Sequence, residues 1–382
     1  MGKLLATCLL GLVGTFWWGA PVSAGEPIRI GAIFSVTGPA SFLGEPERNT
    51  AKMLEDNLNK AGGLLGRQVE ITVYDDESDT TKAVTAVDRL IKRDRVVAVI
   101  GPSTSGSTLA IIPKIEEAQI PLLSCAAAHK IVDPVKPWTF KTPQSDFLAV
   151  KRIYQHAKHN GLTRVAILTV SDAFGAAGRE ELRTLAGPMG VTVVADEVFG
   201  PKDTDMTAQL TRIRGTDAQA IITWGTNPGP AVVARNRAQL KMTIPLYMSH
   251  GVASKKFIEL AGAENAEGIL LPAGRLIVEA QLPVGHPQKA LLSTYTQDYE
   301  RRFHQAVSTF GGHAWDSVML LSQAIRHANS AEPSAVREAL EKIRGFYGTG
   351  GEFNFSAEDH SGLTEEAFAM VRVTKGDWEM LR

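Results

Sequence analysis

Cysteine is almost absent from this chain: its 382 residues include only two, Cys8 and Cys125. Cys8 falls in an N-terminal stretch that reads as removable, which would leave one thiol. A single thiol can form neither an intramolecular disulfide nor a two-cysteine zinc site. The nine histidines never occur as HxxxH beside a carboxylate, so the usual helical zinc pattern is missing too. Charge of one sign is also lacking. A formal net charge of −1 excludes nucleic acid or a strongly charged surface as the natural partner. No GxxxxGK[ST] loop cradles a nucleotide, and no GxSxG turn presents a nucleophile. Beyond residue 24 no segment is apolar enough to span a bilayer.

What is present begins at the N-terminus. Lys3 precedes an apolar run from Leu4 to Trp18, followed by Ala20, Pro21, Val22, Ser23 and Ala24. Val22 and Ala24 stand where a signal peptidase requires small residues, so residues 1–24 are expected to be a secretory signal cut after Ala24. An uncleaved anchor is the alternative, but the run is shorter than the ~20 apolar residues a spanning helix needs. Lipidation at Cys8 is rejected, because most of the apolar run lies behind it. The expected location is the periplasm.

The remaining chain alternates short β-branched runs with amphipathic stretches. Ile28–Phe34, Val69–Tyr74, Val96–Gly101 and Pro121–Leu123 read as strands. Ala51, Leu54, Leu58 and Ala61 recur at helical spacing, as do Ala83, Val84, Val87, Leu90 and Ile91. A second series follows, with strands at Arg164–Val170, Val191–Phe199, Ala220–Trp224, Leu246–Ser249 and Gly268–Leu271. Helices are expected near 145–159, 175–187, 204–214, 229–240 and 252–261. Residues 273–287 carry no period; helices near 288–307, 313–329 and 334–343 and a terminal hairpin complete the chain. The expected fold class is α/β, with two doubly wound parallel-sheet lobes and several crossings between them. Residues 25–144 plus 274–350 should form the first lobe, and 145–273 plus 351–382 the second. Ligands of such sheets sit outside the carboxyl ends of the strands, which directs attention to the loops there.

Three loops of the first series are notable. The first runs from Ser35 to Gly44, the second from Gly101 to Thr108, and the third from Ser124 to His129. In the second, Ser103, Thr104 and Ser105 open a helix. Its free N–H groups and dipole suit an anion such as a carboxylate. Ser105 could equally be a plain N-cap. Asp75 and Asp76, after a strand and before a turn, are expected to cap the helix near Thr80 or to solvate the loop.

The stretch GAIFSVTGPASFLGEPERNTAKMLEDNLNKAGGLLGRQVEITVYDDESD resembles the opening of the Leu/Ile/Val-type periplasmic binding proteins. VIGPSTSGST, IPLLS, VAILTVSDAFGAAG, AWDSV and GTGGEFNFS extend the resemblance along the chain. It implies a type I periplasmic binding protein fold, two lobes joined by three crossovers, capturing a small molecule for inner-membrane ABC permease subunits. No cofactor, metal or catalysis is implied, and a monomer is expected. By position, Ser105 matches the residue holding the ligand carboxylate, with backbone help from Ser103 and Thr104. Ala126, Ala127 and Ala128 match the loop meeting the ligand's polar head. Phe174 and Thr226 match second-lobe positions, and His250 stands where amino-acid binders carry an acid for the ammonium group. Phe42, Leu43 and Trp224 are expected to add apolar surface.

Departures from the family pattern bear on the cargo. Ala128 replaces a Thr, and His250 replaces the acid. Both changes remove acceptors for an ammonium, whose burial without acceptors costs several kcal/mol. A carboxylate with a planar or apolar body, such as an aromatic acid, is therefore expected in preference to leucine. For Phe174 and Trp224 the competing reading is ordinary core packing, and for His250 a solvated loop position. Two cystine positions of some relatives appear as Ser78 and Thr104. Rival functions are an enzyme, for which no nucleophile–base set is visible, and a receptor-linked sensor using the same two lobes.

Overall fold

The computed structural model describes residues 25–381; the expected signal peptide lies outside them. The first sheet is wholly parallel, in the order β2-β1-β3-β4-β5. Its strands are β1 (Ile28–Phe34), β2 (Val69–Asp75), β3 (Ala98–Ile100), β4 (Leu122–Ser124) and β5 (Thr139–Lys141). Between them run α1 (Ser41–Lys60), α2 (Thr80–Arg89) and α3 (Ser105–Ala118). The second series supplies α4 (Asp146–His159), β6 (Arg164–Val170), α5 (Ala173–Ala186), β7 (Thr192–Phe199) and α6 (Thr207–Arg214). It continues with β8 (Ala220–Trp224), α7 (Gly229–Gln239), β9 (Leu246–Met248), α8 (Lys255–Ala261), α9 (Ala263–Ala266) and β10 (Leu270–Ala273). The return comprises α10 (Lys289–Phe303), α11 (Thr309–Ala328), α12 (Pro333–Leu340), the short hairpin β11–β12 (Phe346–Tyr347, Glu352–Phe353) and the hairpin β13–β14 (Ala369–Thr374, Asp377–Met380).

The second sheet has the order β14-β13-β10-β9-β8-β6-β7. Its strands β6 to β10 are parallel, and β13 adds antiparallel to β10. Helices α10 and α11 pack back on α1, so the first lobe is completed by the C-terminal part of the chain. Central strands are buried on both faces, which explains near-continuous apolar runs such as IRIGAIF and AIITW.

Several elements differ from expectation for identifiable reasons. Strand β5 is three residues long and ends in a lysine, too short to show a period; Phe140 and Lys141 are nevertheless fully buried. Helix α11 begins at Thr309 rather than 313, because Ser308 caps it by accepting from Gly311 N, and two glycines are tolerated in its first turn. Residues after the GTGG turn pack on β5: Phe355 lies edge-on to Phe140, and the His360 ring stacks on Phe140 at 3.9 Å. Lys141 N donates to His360 O as well.

The passages are tied together by buried polar groups. Asp316 on α11 accepts from Thr349 N (2.5 Å), Thr349 Oγ1 (3.0 Å) and Gly350 N (2.7 Å). Gln144, in the first passage, donates to Gly350 O at 2.7 Å, and Gln288 donates to Gly348 O at 2.7 Å. A Cβ on Gly348 would lie 2.4 Å from Asp316 Oδ1, so the glycines of GTGG permit this approach. AWDSV and GTGG, far apart in sequence, are the two halves of one contact. Asp316→Ala is expected to strand two buried N–H groups and lower stability by about 2–4 kcal/mol, measured by urea unfolding.

Candidate functional site

Each loop on the first lobe is held by side chains that leave its tip free. Ser35 Oγ donates to Asp76 Oδ1 at 2.6 Å, and Ser35 N donates to Ser103 Oγ at 3.0 Å. Asp75 accepts from Val36 N, Thr37 N and Thr37 Oγ1. Partial burial works to raise the Asp75 pKa, but the Thr37 hydroxyl and three backbone N–H bonds outweigh it and hold the carboxyl below its usual range. The acid pair therefore pins the first loop rather than capping α2; that cap is Asp79, accepting from Thr81 N and Lys82 N.

The second loop resolves the ambiguity over Ser105. The N-cap is Thr104, whose hydroxyl accepts from Ser107 N at 3.3 Å. Ser105 is the first helical residue, and the N–H groups of this first turn have no acceptor within the helix. Its hydroxyl takes only a 3.4 Å bond from Ala128 N and remains free to donate. Ser103 is different, because its hydroxyl is engaged by Ser35 N and donates to the Glu47 carboxyl. Burial pushes the Glu47 pKa well up, against the bond from Ser103.

In the third loop Ser124 Oγ accepts from Ala126 N at 3.1 Å and meets Thr108 Oγ1 at 2.9 Å. Burial pushes the Cys125 thiol well up, so it is inert in the cavity wall. Beneath this loop lies fully buried Lys141, donating to Ala127 O (3.1 Å) and Pro143 O (2.8 Å). Burial pulls its pKa down to about 7, with Asp146 and Asp359 opposing. Burial likewise pushes Asp146 up to about 7, with Lys141 opposing and Glu181 adding to the rise.

The second lobe faces these loops across a cavity of about 450 Å³. Asp172 caps α5 by accepting from Gly175 N at 2.8 Å, which sets Phe174 in the wall. His250 follows β9, caged by Phe174, Trp224 and Phe368 with centroids 5.4–5.7 Å away. Its Nε2 lies 4.0 Å from Asp146 Oδ1. Burial first, then Lys141 and His313, pull its pKa down to about 3, so it is neutral across ordinary pH. His313 on α11 is held equally low, by burial and Lys141.

Nine residues singled out in the sequence share the wall: Leu43, Ser103, Thr104, Ser105, Ala126, Ala127, Phe174, Thr226 and His250. Three stand back from it. Ala128 is fully buried with Ile131 and Val132. Trp224 is fully buried against α5, where a Cβ on Gly178 would lie 2.1 Å from its Nε1. It is core packing behind Phe174, as the competing reading had it. Phe42 packs edge-on against Phe310, and Phe310 itself meets the cavity.

Sequence reasoning missed Asn227, Asp172, Lys202, Phe310 and His313, all in the wall. Asn227 directly follows Thr226, so reading that loop one residue further would have found it. Nothing local marks Phe310 and His313, which reach the site only because α11 packs behind the first sheet. Asp172 is the sole carboxylate of the wall among the described residues. No group of three His, Cys, Asp or Glu among those residues could hold a metal ion.

Comparison with known proteins agrees with this architecture. A family model described as periplasmic binding protein matches residues 27–377. The leucine-, isoleucine-, valine-, threonine- and alanine-binding protein of Pseudomonas aeruginosa is 25% identical over 83% of each chain. An extracellular ligand-binding receptor from Rhodopseudomonas palustris HaA2 superposes with a TM-score of 0.87 at 26% identity, covering 93% of this chain and 99% of that one. The branched-chain amino acid transporter substrate-binding protein of Streptococcus pneumoniae, solved with isoleucine, gives 0.82 at 25% identity, over 93% and 99%. From the capping geometry, Thr104→Ala should cost about 1 kcal/mol of stability, read from the shift of the thermal unfolding midpoint.

Proposed function

The chain belongs to the periplasmic binding protein family, and we propose that it is the solute-capturing component of an importer for a small carboxylate with an apolar, planar body. The observation that carries this reading is the pairing of a free anion cradle at Ser105 with a neutral His250 opposite it. The family implies a periplasmic location. In this reading the ligand carboxylate accepts from the Ser105 hydroxyl and from the first N–H groups of α3, where the helix dipole favours negative charge. Phe174, Leu43 and Phe310 supply apolar wall for the body. The second lobe then closes, bringing Phe174, Thr226 and His250 against a ligand already docked on the first. Contacts made only in the shut state favour that state, and permease subunits would read it. Binding without turnover is the proposed role. Cys125 is a buried thiol held protonated, and among the described residues the Ser105 hydroxyl is bonded only by Ala128 N.

A second reading, capture of an amino acid, has one observation in its favour. Asp172 borders the cavity and could accept from an ammonium. Against it, the carboxyl is already engaged in capping α5, and burial raises its pKa while Gly175 and Phe174 N–H groups oppose. The Pseudomonas and Streptococcus relatives bind such ligands by their names.

Calorimetric titration with benzoate and cinnamate beside leucine separates the two. Aromatic acids are expected to bind more tightly; tight leucine binding with silence toward aromatic acids would overturn the proposal. Ser105→Ala should weaken every carboxylate by about tenfold, roughly the worth of one hydrogen bond to a charged group, with only a small fall in the ligand-free melting temperature from loss of the long bond to Ala128 N. His250→Glu should move preference toward leucine.

A pH dependence follows from Lys141 and Asp146. As pH rises through about 7, the pair loses protons and its net charge falls. A bound anion favours the protonated pair, so binding takes up protons and affinity should fall from about pH 6 to about pH 8. A drop of about threefold or more is expected for charges near one another at an intermediate dielectric. Titration at fixed ionic strength checks the sign.

A further inference from the structure

Asn227 is a polar residue of the cavity wall whose side-chain amide the described residues leave unpaired at both ends. It follows β8 on the second lobe, across the cleft from Ser105, and the residue borders the cavity. The residue is 5% exposed, and neither Oδ1 nor Nδ2 has a hydrogen-bond partner among the described residues. Buried amides in folded proteins are almost always paired, so an amide left unpartnered at both ends in a residue that borders a cavity points to a ligand group. The glycines on either side of Asn227 rest on apolar side chains. A Cβ on Gly229 would lie 2.5 Å from the Phe199 ring, and one on Gly225 would meet Val170 and Phe199 at 3.3–3.4 Å.

The chemistry of the amide limits what can satisfy it. Oδ1 only accepts and Nδ2 only donates. A second carboxylate would suit Nδ2 but face Oδ1 with like polarity, and an ammonium would do the reverse. A hydroxyl or a primary amide both donates and accepts, and so satisfies both ends. We propose that the ligand carries, besides its carboxylate, one uncharged polar group of this kind on its apolar body, and that Asn227 selects for it. This deepens the carboxylate reading of the same cavity and rests on it.

The test is calorimetry with benzoate, meta- and para-hydroxybenzoate, para-carbamoylbenzoate and terephthalate against the wild-type chain, Asn227→Leu and Ser105→Ala. Leucine is close to asparagine in shape and has no polar atoms. At least one hydroxy or carbamoyl acid should bind about tenfold more tightly than benzoate, because a site built to hydrogen-bond a group rejects the analogue lacking it. In Asn227→Leu that ratio should fall to about one, with benzoate binding retained and the ligand-free melting temperature equal to or above wild type. Ser105→Ala should weaken all members together and leave the ratio intact. Equal wild-type affinity for benzoate and every substituted acid would overturn the role of Asn227 while leaving the carboxylate reading standing. Tightest binding of terephthalate would overturn the uncharged group. A lowered melting temperature with loss of benzoate binding in Asn227→Leu would make the residue structural and overturn the proposal. Absence of binding by every acid to the wild-type chain would overturn both readings.

Discussion

The two lobes depend on a small set of buried hydrogen bonds where the chain passes between them. Gln144 of the first passage bonds Gly350, next to which Asp316 and Gln288 hold the GTGG turn. Gly274 of the second passage comes close enough that a Cβ there would lie 3.1 Å from Gln144 Nε2. Three distant stretches of chain therefore share one polar centre. Each donor and acceptor is buried, so losing one leaves others without water to replace it. That cost holds the passages in register and fixes where each sheet directs its strand ends.

Burial, more than the identity of the charges, sets the electrostatics of the cavity. His250 and His313 would titrate near neutral pH in water, yet desolvation keeps both uncharged. Lys141 is held between two backbone carbonyls beneath the third loop, where burial pulls its pKa down and Asp146 restrains the fall. The first lobe offers hydroxyl and N–H donors at the start of α3, and the second lobe offers neutral polar groups set among aromatic rings. Under the proposed reading the donors would meet the ligand's carboxylate and the rings its apolar body.

Much of the fold was legible because its signals are local. Strands such as Ile28–Phe34 and Arg164–Val170 are continuous apolar runs bounded by turn residues, and they occur where expected. The three-residue strands β3, β4 and β9 were also read, whereas β5, of the same length and ending in a lysine, was not. Capping was legible in kind but not in position: Thr104 rather than Ser105 closes α3, and Asp79 rather than Asp75 or Asp76 closes α2. Adjacent hydroxyl or acidic residues are equivalent candidates in a sequence. Only backbone geometry decides which side chain folds back onto the helix.

The sequence by itself determined the alternating α/β order, the chemistry of the loops after β1, β3 and β4, and the family to which that ordered series belongs. Those features depend on neighbouring residues and their spacing. The tertiary structure decided which side chains face the cavity. It placed Trp224 and Ala128 in the core and brought Phe310 and His313 from α11 to the wall. It also left the Asn227 amide without a hydrogen-bond partner among the described residues while Ser103 was tied to Glu47. Burial and hydrogen-bond partners arise from contacts between residues tens to hundreds of positions apart, and no local pattern encodes them.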